Sequence, residues 1–233
     1  MRRDTAIVAS CGVSAPIVML TLWTVASLLR PGYDQLTQYG SELATGQDST
    51  IMNANFVITG SLIIIFFLGL FTHIHAGKWP AIGAMLLGIF GVGEAVTAAF
   101  PCDPGCPFAS SQSPSQSIHN LIAVIAFGSL ALAPLLISSG LKRDTLWGGY
   151  QSYSLATGFA SIGLFLLFSF AVLSSFPYVG LLQRVFLAIP FLWIELMAVH
   201  LFKIPNRTSP AIPPSSPPVA PKTDYHAKSL VEI

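Results

Sequence analysis

The chain carries very little charge. Lysine and arginine account for 11 of its 233 residues and aspartate and glutamate for 10, so charged residues make up 9% of the sequence, whereas soluble domains carry about 25%. Hydrophobic residues make up 53%, and the mean hydropathy is +0.68. The apolar runs leave no soluble segment long enough to bury a core of its own. This composition indicates a membrane protein.

Patterns that would indicate a specific activity are also lacking. The basic residues lie at the ends of apolar runs and form no patch, so we predict no nucleic-acid partner. No serine lies in a Gly-x-Ser-x-Gly nucleophile motif, and the two neighbouring cysteines are four residues apart, unlike the Cys-x-x-Cys pair of thiol oxidoreductases. We predict no cofactor, and these absences favour a binding protein over an enzyme.

Six apolar runs are each long enough to cross a hydrocarbon core of about 30 Å. They cover residues 6–29, 51–74, 79–100, 118–137, 153–173 and 180–202. We therefore predict an all-α, polytopic protein with six transmembrane helices in one bundle, formed by residues 1–203. Residues 204–233 contain seven prolines, a composition that cannot pack a core, and are predicted to be a disordered cytoplasmic tail.

The basic residues also predict the orientation of the bundle. With the N-terminus inside, nine of the eleven lysines and arginines lie on the cytoplasmic side, as the positive-inside rule requires. Arg30 and Arg184 fall on the outer side. Six spans put both termini on one side, so we expect both in the cytoplasm and the protein in the plasma (inner) membrane. The polar segment 30–50 allows either a short surface-lying helix or an ordinary loop.

Two carboxylates and one guanidinium lie within the spans: Glu94 in the third, and Arg184 and Glu195 in the sixth. Such groups cost several kcal/mol in lipid unless they face protein or water, so we expect them to point into the bundle. Arg184 and Glu195 share one helix face, roughly 16 Å apart. Because Glu94 and Arg184 lie at similar depth, we predict an ion pair between them, either as a structural lock or as part of a binding site.

Reactive side chains gather between the third and fourth spans. Cys102 and Cys106 are predicted to form a small disulfide loop on the outer side, where oxidation is possible. Zinc ligation by these cysteines with Asp103 and His119 is the alternative, although we predict no metal. Asp103 and His119 could also act as a general-base pair, while hydrogen bonding that orders the loop is the simpler role.

Four segments, taken in order, resemble the membrane family catalogued as domain of unknown function 998. They are residues 38–46 (QYGSELATG), 100–103 (FPCD), 117–120 (SIHN) and 180–184 (GLLQR). The likeness covers about residues 6–202. It implies a six-helix integral membrane protein of bacteria or archaea, distantly similar to Frag1 and DRAM proteins, and supplies no reaction. It draws attention to Ser41, Glu42, Asp103, His119 and Arg184.

We therefore predict that the protein binds a lipid or small amphiphile in an outward-facing polar pocket between helices 3, 4 and 6, with membrane lipids as its partners. The candidate ligand-binding residues are Ser41, Glu42, Glu94, Asp103, His119 and Arg184. One alternative is an intramembrane lipid hydrolase, which needs His119 within hydrogen-bond reach of Asp103 or Glu42. Another is a small-solute transporter, which needs an aqueous path from Glu94 to Glu195.

Overall fold

The six apolar runs form six long helices. A computed structural model describes residues 3–74, 77–108, 112–142, 144 and 146–204. The helices are α1 (Arg3–Leu29), α2 (Ser49–His73), α3 (Lys78–Thr97), α4 (Pro114–Leu141), α5 (Gln151–Leu173) and α6 (Val179–Lys203). All six are long and apolar enough to span a membrane, and no strand occurs in the described residues. The predicted all-α fold with six membrane-spanning helices is confirmed.

Helix α4 begins four residues before its apolar run. Ser113 caps it, because the Ser113 hydroxyl accepts a hydrogen bond from the backbone N–H of Gln116, and Pro114 occupies the first turn. Both features are typical of helix starts. The polar first turn therefore belongs to the helix although hydropathy alone does not include it.

Each helix packs against its neighbours in the chain, and α6 packs back onto α1 to close the ring. Small residues let the backbones approach. A Cβ added at Gly91 of α3 would lie 2.9 Å from the carbonyl oxygen of Gly60 in α2. The ring surrounds a core of fully buried side chains, among them Phe66, Leu87 and Trp193.

We call one end of the bundle the capped end. There α1, α3 and α5 finish, α2, α4 and α6 begin, and segments 30–48, 98–108 and 112–113 cover the helices. The opposite end carries Arg3, Lys78, Lys142 and Lys203. The cytoplasmic assignment of that opposite end stays a prediction. Of the proposed tail, residues 204–233, all but Ile204 lie outside the described residues.

Segment 30–48 is a loop with a buried centre rather than a surface-lying helix. It contains a 3-10 turn, Gly40–Ala44, in which Glu42, Leu43 and Ala44 are buried against the bundle. Arg30 holds one end of the segment by donating to the carbonyl oxygens of Thr45 and Gln47. Segment 30–48 thus packs onto the bundle and covers the helical ring at its capped end.

Candidate functional site

A small cavity lies inside the capped half of the bundle, and we call it the inner cavity. Its volume of about 20 Å³ is room for one water-sized group. It is lined by Met19, Trp23, Gly40, Ser41, Met52, Phe56, Glu94, Thr97, His119, Ala123, Ala126, Phe127, Gln183 and Leu187. Three of the predicted site residues, Ser41, Glu94 and His119, therefore meet at one place.

His119 lies in the second turn of α4 and is 5% exposed. Its Nδ1 is 2.9 Å from the carbonyl oxygen of Phe100. A carbonyl oxygen can only accept, so Nδ1 must carry the proton of this hydrogen bond. In the neutral ring Nε2 is then a hydrogen-bond acceptor, and no hydrogen bond from a described residue reaches it. The loop after α3 thus sets which nitrogen of His119 is free.

Glu94 lies in the last two turns of α3 and is 5% exposed. Its Oε2 has no hydrogen-bond partner among the described residues. Leaving a buried acceptor without a partner costs about 1–3 kcal/mol, and more for a charged group. Most buried polar atoms in native proteins do have partners, so an unpartnered carboxyl oxygen on a cavity wall indicates a position where a further donor can bind.

Gln183, near the start of α6, is 4% exposed and completes the polar wall of the inner cavity. Its Oε1 accepts a hydrogen bond of 2.8 Å from the backbone N–H of Gly40. This contact joins segment 30–48 to α6 and leaves the amide NH₂ as a donor. Sequence reasoning did not select Gln183, although it lies next to Arg184 in the GLLQR segment.

A second cavity lies next to the inner one, between α4 and α5 on the membrane-facing side. This α4–α5 groove has a volume of about 140 Å³ and shares Ser41, His119, Ala123, Phe127 and Gln183 with the inner cavity. Its other lining residues are Tyr39, Cys106, Phe108, Asn120, Val124, Phe165, Phe168, Ser169, Val172 and Leu173. Val124 and Leu173 at its rim are 51% and 70% exposed. The groove is therefore open on the side that faces lipid.

Phenylalanines form the floor of the α4–α5 groove. Phe127 and Phe168 pack on Phe186 of α6, with ring centroids 5.6 Å and 6.2 Å from it. Tyr39 of the capping segment contacts Phe168 edge to face at 6.4 Å. Such aromatic contacts contribute about 0.5–1.5 kcal/mol each beyond area burial. The floor is a rigid apolar surface that leads inward to His119.

The predicted ion pair between Glu94 and Arg184 is wrong. Arg184 instead donates to the carbonyl oxygens of Gln35, Gln38 and Gly180, at 2.6, 3.2 and 3.0 Å, and to the Tyr33 hydroxyl at 2.7 Å. Its guanidinium also lies 4.6 Å from the centre of the Trp23 ring. Segment 30–48 supplies these acceptors beside the start of α6, and its path was not evident from helix periodicity.

Arg184 and Glu195 line a third cavity, the α1–α6 groove, of about 370 Å³. They share one face of α6, as their spacing predicts. The remaining lining residues are Pro16, Met19, Leu20, Trp23, Thr24, Ser27, Gln35, Leu187, Ala188, Phe191 and Leu192. Met19, Trp23 and Leu187 also line the inner cavity, so these three side chains form the wall between the two spaces.

Comparison with known proteins identifies the family. The family model described as "Protein of unknown function (DUF998)" matches residues 13–200. The chain belongs to the DUF998 family. Searches of curated proteins and of solved structures found no match. Because the DUF998 description names no activity, the chemistry of the cavities has to carry the functional argument.

Asp103 orders the loop of this DUF998 protein between α3 and α4. Its carboxylate accepts a 2.9 Å hydrogen bond from the backbone N–H of Ser113, and its own N–H donates to Gln116 Oε1 at 2.7 Å. The hydrogen bonds from Ser113 hold the pKa of the Asp103 carboxyl below its usual value. Cys102 and Cys106 are joined by a disulfide. A disulfide leaves no thiolates for the zinc alternative.

Glu42 holds the capping segment. Its carboxylate accepts hydrogen bonds from the Tyr39 backbone N–H at 2.9 Å and from Gln38 Nε2 at 2.8 Å. The hydrolase hypothesis expects His119 to bond to Asp103 or Glu42. The carboxylates of Glu42 and Asp103 and the His119 ring all hydrogen-bond to other groups. The inner cavity therefore brings together Ser41, Glu94 and His119 but not Glu42, Asp103 or Arg184.

Proposed function

We propose that this DUF998 protein binds a single-chain membrane amphiphile, with the apolar chain in the α4–α5 groove and the polar head in the inner cavity. One observation carries the proposal. The α4–α5 groove, which is open to the bilayer, adjoins the polar inner cavity at five shared lining residues, and there Glu94 Oε2 and His119 Nε2 have no partners among the described residues.

The dimensions of the groove favour part of one chain over a whole lipid. Pockets for drug-sized ligands usually have volumes of about 300–1,000 Å³, and the α4–α5 groove has about 140 Å³. An amphiphile can fill this space with the chain segment next to its head and leave the rest of the chain in the surrounding bilayer. Each methylene buried against Phe127 and Phe168 gains packing contacts. Because the lipid tails that it leaves are equally apolar, these contacts give little specificity, and the polar end supplies it.

Transport gains no support from the cavities. Glu94 and Glu195 line separate spaces, divided by the wall of Met19, Trp23 and Leu187. Deeper in the bundle, Leu87 and Phe90 are fully buried and pack in the same apolar cluster as Phe191. An aqueous path between the two carboxyls would have to displace these side chains.

A matched pair of cavity-filling variants tests the proposal. Ala123 lines the α4–α5 groove and Ala188 lines the α1–α6 groove, so Ala123→Leu and Ala188→Leu make the same change in each. The probe is dodecanol with a diazirine in its chain, photolysed with the purified full chain in nanodiscs. Peptide mass spectrometry locates the label.

Labelling of α4 and α5 at the groove residues is expected in the wild-type protein. We expect Ala123→Leu to reduce it several-fold and Ala188→Leu to leave it unchanged. Equal labelling of all lipid-facing surfaces, or loss of the groove label in Ala188→Leu rather than in Ala123→Leu, would show that the α4–α5 groove is not a binding site.

A further inference from the structure

We infer that the inner cavity selects a primary amine as the head group, so that the ligand is a long-chain amine or a lipid that ends in one. This inference rests on the proposed function and deepens it. It follows from three properties of the inner cavity: its size, the charge of its lining and the hydrogen-bonding groups that its walls leave free.

Size excludes the larger head groups. The inner cavity has about 20 Å³, and a cavity needs about 10–15 Å³ to hold one water molecule. One heavy atom with its hydrogens therefore fits. An ammonium or a hydroxyl group meets this limit, whereas a carboxylate, a phosphate or a trimethylammonium group does not.

The charge of the lining excludes anions and favours a cation. Neither the inner cavity nor the α4–α5 groove is lined by a lysine or arginine from the described part of the chain, and Glu94 is the acidic residue among their lining residues. Arg184, which could have served a phosphate, lies across the Trp23 wall and is held by carbonyl oxygens. A cationic head group would supply Glu94 with the counter-charge that a buried carboxylate requires.

The free acceptors of the cavity match an ammonium better than an alcohol. An ammonium has three N–H donors and no acceptor. The cavity offers three acceptors, Glu94 Oε2, His119 Nε2 and the Ser41 hydroxyl oxygen, none of which accepts a hydrogen bond from a described residue. Its wall also carries two donors that an ammonium does not use, the Gln183 amide and Trp23 Nε1. A hydroxyl group has one donor and could occupy one of these acceptors. Hydrogen bonds between charged partners are about twice as strong as neutral ones, which favours the amine further.

The test compares different head groups on the same dodecyl chain. Dodecylamine, dodecanol, dodecanoate and dodecyltrimethylammonium are titrated separately into the purified full chain, and native mass spectrometry measures the fraction of protein with one molecule bound. Dodecyltrimethylammonium is the matched control, because it has the charge of the amine without N–H donors and with a larger head. Wild type, Glu94→Gln, Glu195→Gln and Ala123→Leu are compared. Glu195 is the other carboxyl that lines a cavity within a span, and Ala123→Leu reports on the α4–α5 groove itself.

The wild-type protein should bind dodecylamine about tenfold more tightly than dodecanol, which corresponds to about 1.4 kcal/mol, with the other two probes weaker than dodecanol. Glu94→Gln should abolish the preference for the amine and retain binding of dodecanol. Glu195→Gln should behave as wild type. Because the ranking of probes is measured on the wild-type protein, the test does not depend on the folding of a variant.

Each of the other possible outcomes contradicts a specific part of the argument. If all four probes bind equally and Ala123→Leu still weakens them, the amphiphile site stands and the amine selectivity is wrong. If dodecanoate binds as tightly as dodecylamine, or if the amine preference survives in Glu94→Gln, the inference is wrong. If no probe binds with Ala123-dependent affinity, the proposed function fails together with the inference.

Discussion

The α1–α6 groove and the α4–α5 groove lie on different sides of the bundle and differ in what their polar groups already bind. The α1–α6 groove is larger, about 370 Å³ against 140 Å³, and it contains both an arginine and a glutamate. Its arginine donates to three carbonyl oxygens and a tyrosine hydroxyl. The inner cavity beside the α4–α5 groove contains a buried carboxyl oxygen, Glu94 Oε2, that has no partner in the described chain. Glu195 in the α1–α6 groove accepts no hydrogen bond from a described residue either, but its side chain is partly exposed. A buried and unpartnered acceptor, rather than volume or charge, distinguishes the candidate site.

Segment 30–48 is the cause of this difference. It crosses the capped end, and its backbone carbonyls meet Arg184 while Gly40 packs on Trp23 and donates to Gln183. The backbone carbonyls of segment 30–48 therefore occupy the hydrogen-bond donors of Arg184. The other side closes the inner cavity above Glu94 and His119 without supplying donors to them. The predictions that follow test this division from the largest expected effect to the smallest.

Replacing Arg184 should have the largest effect, and it should be on stability. Arg184→Met removes the hydrogen bonds to three carbonyl oxygens and to the Tyr33 hydroxyl, and we expect the free energy of unfolding to fall by about 2–4 kcal/mol. Arg184→Lys should restore little of it, because an ammonium lacks the planar fork of guanidinium donors. Chemical unfolding in detergent micelles, followed by tryptophan fluorescence, measures the loss.

Glu195→Gln is the matched control for Arg184, since both residues line the same groove. We expect a change within about 0.5 kcal/mol, as at positions that are not part of a saturated network. A stable Arg184→Met protein that had lost binding of the dodecanol probe would reverse the comparison, because Arg184 would then act on the ligand and not on the cap.

Removing the disulfide should have an intermediate effect that is specific to one groove. The Cys102–Cys106 bond closes a loop of only a few residues, for which chain entropy gives at most about 2 kcal/mol. Cys106 lines the α4–α5 groove, so Cys102→Ser with Cys106→Ser should also weaken photolabelling there. Cys11→Ser, at the free cysteine of α1, is the control. Unchanged labelling in the double variant would separate the loop from the site.

Two phenylalanines offer the sharpest comparison of the grooves. Phe168 lines the α4–α5 groove and Phe191 the α1–α6 groove, and they are 7% and 6% exposed. Phe168→Leu and Phe191→Leu should each cost about 1 kcal/mol of stability. We expect only Phe168→Leu to lower the labelling by the dodecanol probe. Equal losses of labelling would mean that the variants act through general loosening of the bundle.

The sequence allowed the helices to be predicted well and the site only in part. Six apolar runs specify six spans because a helix satisfies its own backbone in lipid, whatever its neighbours are. The inward position of Glu94 followed from the cost of exposing it to lipid. Those two inferences depend on one helix at a time, which is why periodicity and hydropathy were sufficient for them.

The partners of the polar residues could not be predicted, because they come from irregular backbone. Arg184 binds carbonyl oxygens of segment 30–48, and every residue type has such an oxygen, so no sequence motif marks them. Gln183 was missed for the same reason, since its partner is the N–H of Gly40. The equal depth of Glu94 and Arg184 suggested a pair, whereas the direction of each side chain around its helix decided against it.

Lowering the pH should have the smallest effect on stability. The two loops that contain Asp34 and Asp103 should contribute to it alike. Hydrogen bonds from Ser113 lower the pKa of Asp103, and those from Leu36 and Thr37 lower the pKa of Asp34. A carboxyl with a lowered folded-state pKa adds stability that is complete above its unfolded pKa, about 3.9, and is lost as the pH falls through the folded value. Unfolding midpoints should therefore be flat above about pH 5 and fall slightly below pH 4. Asp103→Asn and Asp34→Asn should each reduce this fall of the unfolding midpoint. Only Asp103→Asn should weaken labelling of the α4–α5 groove. A midpoint that rises on acidification would contradict the lowered pKa values of both carboxyls.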